Sequence, residues 1–466
     1  MKATYRLACA AAALISVSCA PAALPQPPAP SPAPTTAATA KAGAGPQGAP
    51  QDRALQDKLA EALRYVSAIR GLSAKSPVDG RSISRSEIER YLVSELERAS
   101  PLDMVQSTEA LLYAFGTVPA DFDYRQSVTA LMTQQLFGFY DPRQKAFFVS
   151  GDLSGQEADI TLWHELVHAL QDQHYDLTRI TDWEADRGDA LAAVHALAEG
   201  DATSTMLDAM LKPRGTTALE VPEGLMRAES ILGSAVGTAP HILVSSLVAP
   251  YVDGLAFTNA LRRQGGFAAV DDAWRTPPVS TEQILHPEKY LAQEPPLVVP
   301  LPSAPPHAPT LVERYHDVMG EQTLRLFFQE WLPARTAIAA ASDWGGDRLS
   351  VFSDAPRQTW AVAWHLRFDS SAAAERALVA FARSARLMEL GGDSALGPEA
   401  ADQVVAKLKG DKLCRERHSQ GAFALARRGP DLAVTVGPFQ RNSVAVAADP
   451  ACPSALKWAS AIATTR

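Results

Sequence analysis

Cysteine is scarce in this chain: four residues in 466, at positions 9, 19, 414 and 452, and nowhere as a CxxC pair. Zinc-finger and thioredoxin-type chemistry both need closely spaced thiols and are excluded. Runs of one charge are missing too. The formal net charge of −9 is the balance of 52 acidic and 43 basic residues scattered along the chain, which argues against a nucleic-acid partner. No internal repeat of solenoid length is present. The one apolar run that stands out, Leu7 to Val17, is too short to be kept as a membrane span.

That run has the flanks of a secretory signal. Lys2 and Arg6 precede it and Ser18-Cys19-Ala20 end it, so residues 1–20 read as a signal peptide. Cys19 stands where a bacterial lipoprotein carries its lipidated cysteine. Ser16 occupies a position where Leu is usual, which leaves ordinary cleavage near Ala20 or Ala23 as the other route. Residues 21–50 hold nine prolines among Ala, Gly, Ser and Thr, a composition that buries no core and suits a tether. The expectation is an exported protein, anchored to a membrane through lipid on Cys19 and facing the periplasm or cell exterior. In such an oxidising compartment Cys414 and Cys452 are expected to join, with two separate thiols as the alternative.

The rest of the chain is long enough for two domains. Residues 53–135 read as helices, one of them capped by Ser84 with Glu87. Gly138 to Val149 reads as a β-hairpin turning at Asp141-Pro142. Further helical segments are expected from Thr181 to Met210 and from His241 to Gln264. Proline returns between Glu294 and Pro309, and a boundary near residue 300 separates domains 51–300 and 301–466. The second carries strand-like runs at 359–368 and 432–436. The fold class is therefore α+β: a mainly helical core with a small sheet, followed by a smaller α+β C-terminal region.

The chemistry is concentrated in His164-Glu165-Leu166-Val167-His168. On a helix, imidazoles four residues apart share one face and can grip one Zn²⁺, with Glu165 beside the open coordination position as a general base. Leu162, Trp163, Leu166, Val167 and Leu170 fall away from the two His, as on a helix that packs into a core, and Ser154 with Glu157 forms a capping box at its start. The competing reading is a buried helix whose His merely satisfy hydrogen bonds.

Catalytic zinc normally takes three protein ligands and keeps one position open, so another must come from elsewhere. His174 reproduces the HExxHxxxxxH spacing of metzincins. Those enzymes break the helix with glycine at the position held here by Gln171; on an unbroken helix His174 is rotated about 240° from His168. Glu199, in a second helical segment, would complete a His₂Glu set and is the preferred third ligand. Gly200 beside it suggests that this helix and the HExxH helix approach closely. His195 and Glu184 are weaker candidates. Asp172 could orient an imidazole from the metal-facing stripe or simply be a solvated surface residue, and Asp201 has the same ambiguity.

HELVH with a downstream helical Glu resembles the gluzincin group of zinc metallopeptidases. GFYDP (138–142), HELVHALQDQH (164–174), AEGDA (198–202), Pro250-Tyr251 with Gly254, PPVSTEQILHPEKY (277–290) and WGGDR (344–348) are similar to strings of a poorly characterised family of exported bacterial zincin-like proteins. The resemblance implies a thermolysin-like helical core with the active-site helix beside a small sheet. It implies a peptide or protein substrate of no specified sequence, zinc held by His164, His168 and Glu199, and Glu165 as base. Tyr251 and His286 lie in family-like strings and are candidate donors to the oxyanion; an aromatic core role and a helix-terminal role are the bland alternatives. Two other readings stand beside the peptidase: a catalytically inactive binding or assembly lipoprotein, and a metzincin-type enzyme using His174.

Overall fold

The structure, a computed structural model, describes residues 50–99, 102–151, 155–180, 184–221, 239–389, 410–417, 421–441 and 452–465. Residues 1–49, Ser154, the Glu157 side chain and Thr181 to Trp183 lie outside them.

The fold is α+β. Its first part opens with α1 (Pro50–Arg70), strand β1 (Asp79–Ile83), α2 (Arg85–Ala99), α3 (Leu102–Ala114) and α4 (Tyr124–Gln135). Ser84 caps α2 as expected: the Glu87 amide donates to its hydroxyl at 3.3 Å and its own amide donates to Glu87 Oε2 at 2.7 Å. The hairpin is formed by β2 (Gly138–Asp141) and β3 (Ala146–Ser150), and Asp141 Oδ1 fixes the turn by accepting the Arg143 and Gln144 amides. Strand β1 breaks the helical reading of residues 53–135. It pairs in parallel with β3, giving a three-stranded sheet of order β1-β3-β2 with β2 at an edge.

Three long helices follow: α5 (Gly155–Tyr175), α6 (Gly188–Leu211) and α7 (His241–Arg275), the last interrupted at Gly265-Gly266. Helix α6 starts later than the sequence suggests because its first amide, Gly188, donates to Asp317 Oδ1, 129 residues away. Helix α7 is long and apolar enough to cross a membrane, but 56% of its apolar window is buried in the fold and it pairs Asp253 and Arg262 with partners there. Two short helices, α8 (Thr281–Leu285) and α9 (Pro287–Leu291), lead into the proline-rich passage.

Beyond it come β4 (Val312–Asp317), α10 (Gly320–Gln329), α11 (Ala334–Ala341), β5 (Trp344–Asp354), β6 (Thr359–Phe368) and α12 (Ser371–Glu389). Strands β7 (Lys412–Arg417), β8 (Gly421–Arg428) and β9 (Asp431–Gln440) and helix α13 (Cys452–Ile462) complete the chain. The strands form an antiparallel sheet of order β4-β5-β6-β9-β8-β7. Strand alternation sorts its two faces by size. Val362, Trp364 and Leu366 with Phe423, Leu425 and Val434 face α12 and the main core; Ala361, Ala363, Ala422, Ala424 and Ala433 face α13 and Trp458. Cys414 is joined to Cys452, Cα atoms 5.7 Å apart, tying β7 to α13.

The main core does not stop at the proline-rich passage. Phe115, just after α3, packs its ring on Phe327, Trp364 and Phe423 of the C-terminal region, at centroid distances of 4.9, 5.9 and 6.3 Å.

Candidate metal centre

Helix α5 turns Leu162, Leu166, Val167 and Leu170 toward Leu59, Leu63 and Val66 of α1 and Phe147 of the hairpin. That packing leaves His164 and His168 on the face toward α6, with their Nε2 atoms 3.1 Å apart. Glu199 arrives from α6: its Oε2 lies 3.1 Å from His164 Nε2 and 3.4 Å from His168 Nε2. All three side chains are buried. Tetrahedral zinc with nitrogen and oxygen ligands at about 2.0–2.1 Å separates neighbouring ligand atoms by roughly 3.3 Å. The donor set and its spacing fit that ion.

The charge of the site points the same way. Burial opposes ionisation of Glu199, yet His168 and the hydrogen bonds from His164, His168 and His195 hold its carboxyl well below the usual range. Burial also works against a cationic His168, but Glu199, with help from Glu165, carries it up to about 9. His164 is pushed down, first by burial and then by the positive charge on His168. Two buried carboxylates, Glu199 and Glu165, thus lie beside the paired imidazoles.

A second layer of side chains fixes the triad. His168 Nδ1 donates to Gln171 Oε1 at 2.8 Å, which fixes the ring's orientation and leaves Nε2 facing Glu199. The Gln171 amide is itself oriented, because its Nε2 donates to the Ala198 carbonyl and to Asp201 Oδ2. Asp201 in turn accepts from Arg70 Nε at 2.5 Å and from Trp274 Nε1 at 3.0 Å. The buried Arg70 guanidinium also pairs with Asp271. His195, one turn before Glu199, donates to the second oxygen of that carboxylate at 3.2 Å and supports it rather than joining the triad. Gln171, at the very position where metzincins carry glycine, was not expected to have this role.

Glu165 is fully buried, and its Oε2 accepts the Tyr140 amide of β2 at 2.8 Å. The Tyr140 hydroxyl reaches two turns along α5 to Asp172 Oδ2 at 2.7 Å. Strand β2, the sheet edge, is thereby pinned along the HExxH turn. Asp172 also accepts from Lys145 and from the Leu177 amide; among the described residues it does not orient a ligand His.

Tyr251 of α7 stacks on His164, ring centroids 5.9 Å apart and planes inclined by 27°. The helix crossing explains its nearness. A Cβ on Gly254 would collide with the Ala196 carbonyl, and one on Gly200 with the Gly254 carbonyl and the Thr258 hydroxyl. The close approach signalled by Gly200 is therefore with α7, not with the HExxH helix. The reason is that α5 already meets α6 through its long polar side chains, whereas α7 meets it backbone to backbone.

Other candidates lie apart from the triad. Helix α5 continues unbroken to Tyr175, and His174 Nε2 donates to the Ser73 carbonyl at 2.8 Å. Glu184 is exposed and pairs with Arg187. The His286 imidazole is engaged by Glu321 at 3.0 Å, with Glu288 at 3.8 Å. A second convergence of acids, Glu282, Glu294 and Asp369, surrounds the Lys289 ammonium at 2.6–2.8 Å and is satisfied by it.

A family described as a domain of unknown function (DUF8575) matches residues 310–446, from the start of the six-stranded sheet to just past its last strand. No curated protein and no solved structure matches the chain.

Proposed function

We propose that the protein is an exported zinc-dependent peptidase whose ion is held by His164, His168 and Glu199. The observation that carries the reading is the convergence of those three buried side chains to 3.1–3.4 Å, with the Glu165 carboxylate on the same helical turn. Zinc, when bound, supplies a Lewis acid for a scissile carbonyl and a nucleophile of near-neutral pKa. Glu165 takes the proton from the attacking water and returns it to the leaving amine. The Tyr140 amide holds its other oxygen. Tyr251, stacked on His164, is the better placed of the two candidate donors to the developing oxyanion, since His286 is bound to Glu321.

Export rests on the signal-like residues 1–20 and the Cys414–Cys452 bond, and membrane attachment on Cys19. The test is Glu165→Gln, assayed on a broad peptide library. Zinc content should stay at one equivalent while hydrolysis falls by about 10³-fold or more. Wild type carrying zinc yet cleaving nothing would replace the enzyme with a binding protein of the same fold.

A further inference from the structure

A cavity of about 250 Å³ lies between α3, α6, α7 and the C-terminal region. Its wall on α6 is formed by Gly188, Ala192 and His195, successive positions on one helical face, and the next position on that face is Glu199. On α7 it is bounded by Ile242, Ser246 and Pro250, and the stripe ends beside Tyr251. Two helical faces therefore run from the cavity to the metal triad. The bridge is short: His195, a wall residue, is 3.2 Å from a carboxylate oxygen of Glu199.

The opposite wall belongs to the C-terminal region and includes Met319, Thr323, Leu326, Leu349 and Trp364, all within the stretch matched to DUF8575. Two of the polar residues in the lining are already engaged. Gln322 donates to Asp253 at 2.7 Å, and Asp317 accepts the Gly188 and Val318 amides. What is left to meet a ligand is mostly apolar and carries no spare charge.

We infer that this cavity is the specificity pocket of the proposed peptidase, taking a bulky apolar side chain, aromatic or long aliphatic, next to the scissile bond. The inference rests on the peptidase reading. It gives the DUF8575-matched region a task here: it builds the far wall of a pocket that the helical region cannot close alone. Size supports the choice of occupant. A cavity of about 150 Å³ lined by Leu, Ile and Phe binds benzene, so this one has room for a phenylalanine or indole side chain.

The test measures binding of amino-acid hydroxamates to the full-length zinc-loaded protein by calorimetry, with glycine, alanine, leucine, phenylalanine and tryptophan hydroxamates and octanohydroxamate as probes. Phenylalanine or tryptophan hydroxamate should bind about tenfold or more tighter than alanine hydroxamate. Thr323→Trp fills the pocket from the C-terminal wall and Ala192→Phe from the helical wall. Each should reduce the preference to about twofold while the protein keeps one equivalent of zinc. No preference in wild type, or a preference unchanged in both variants, overturns the proposal. Octanohydroxamate binding tighter than every amino-acid probe would replace the peptide side chain with an acyl chain. Size-dependent binding without any peptide hydrolysis would refute the peptidase reading and leave the pocket in place.

Discussion

Helix α6 and strands β8 and β9 are both buried, but they are built from opposite materials. Helix α6 hides Asp189, His195, Glu199, Asp201, Ser204 and Asp208, whereas the two strands hide Phe423, Leu425, Leu432, Val434 and Val436. Most of the α6 groups have a named partner: Arg70 and Trp274 for Asp201, Arg262 for Asp208, Asn259 for Ser204, the imidazoles for Glu199. A buried polar network contributes little net stability, but it allows few alternative arrangements. An apolar strand core is the reverse, stabilising and tolerant of repacking. The site therefore sits on an element selected for position, and the sheet beside it on one selected for cohesion.

The comparison breaks most easily at Arg70. Arg70→Ala leaves Asp201 buried without its cation, which should cost about 3–5 kcal/mol. Because Asp201 orients Gln171 and Gln171 orients His168, zinc affinity should fall with it, by about 10–100-fold. Leu425→Ala in the sheet should cost a similar 2–5 kcal/mol through its cavity, yet leave zinc affinity unchanged. Urea unfolding of each variant, with zinc titrated against a chelating competitor, separates the two. Equal zinc affinity in both variants would erase the distinction between the regions.

Next in size is the helix crossing. Gly254→Ala drives a methyl group into the Ala196 carbonyl, so α6 and α7 must part, at a cost of about 1–3 kcal/mol. Tyr251 rides on the same helix three residues earlier, and its stacking on His164 should be lost with the separation. Turnover should then fall more than zinc content. A variant that is less stable but has unaltered turnover would remove Tyr251 from the reaction.

These effects also mark what could be read in the sequence. The HExxH face, the helix that carries Glu199, the β2–β3 hairpin and strands β6 and β9 were legible because each is written in a local period, 3.6 for helices or 2 for strands. In β6 the alternation of Val362, Trp364 and Leu366 with Ala361 and Ala363 even states which face is wide. Strand β1 was not legible: its five residues are mostly exposed, and it is made a strand by β3, more than sixty residues away. The roles of Gln171 and Arg70 were hidden for the same reason. Arg70 lies 131 residues from Asp201, and no period links them. The start of α6 is set by Asp317, and the pocket by side chains on both sides of the proline-rich passage. The His286 imidazole is held by Glu321, 35 residues on, a pairing that no local period foretold.

The smallest expected effect is electrostatic and lies where the two regions join. Asp189, near the start of α6, accepts the Thr281 amide at 3.0 Å and its hydroxyl at 2.5 Å. Burial, reinforced by the nearby Asp347 and Glu282 and only partly offset by those hydrogen bonds, pushes its carboxyl up to about 8. Asp347, which accepts the Met319 and Gly320 amides, is pushed up by burial to about 6. A carboxyl raised from about 4 in the unfolded chain binds its proton more tightly when folded. Its contribution is therefore complete below about pH 4 and declines as pH rises, until it is gone above about pH 8. Between pH 7 and pH 9 the loss from Asp189 alone amounts to about 1 kcal/mol. Asp189→Asn keeps an oxygen for both Thr281 donors and carries no proton to lose. Its unfolding free energy should fall less than that of wild type over the same interval, so that the two curves converge or cross as the solution becomes alkaline. Parallel curves from urea melts at pH 7, 8 and 9 would mean that Asp189 is already ionised in the folded protein, and that the junction tolerates its charge.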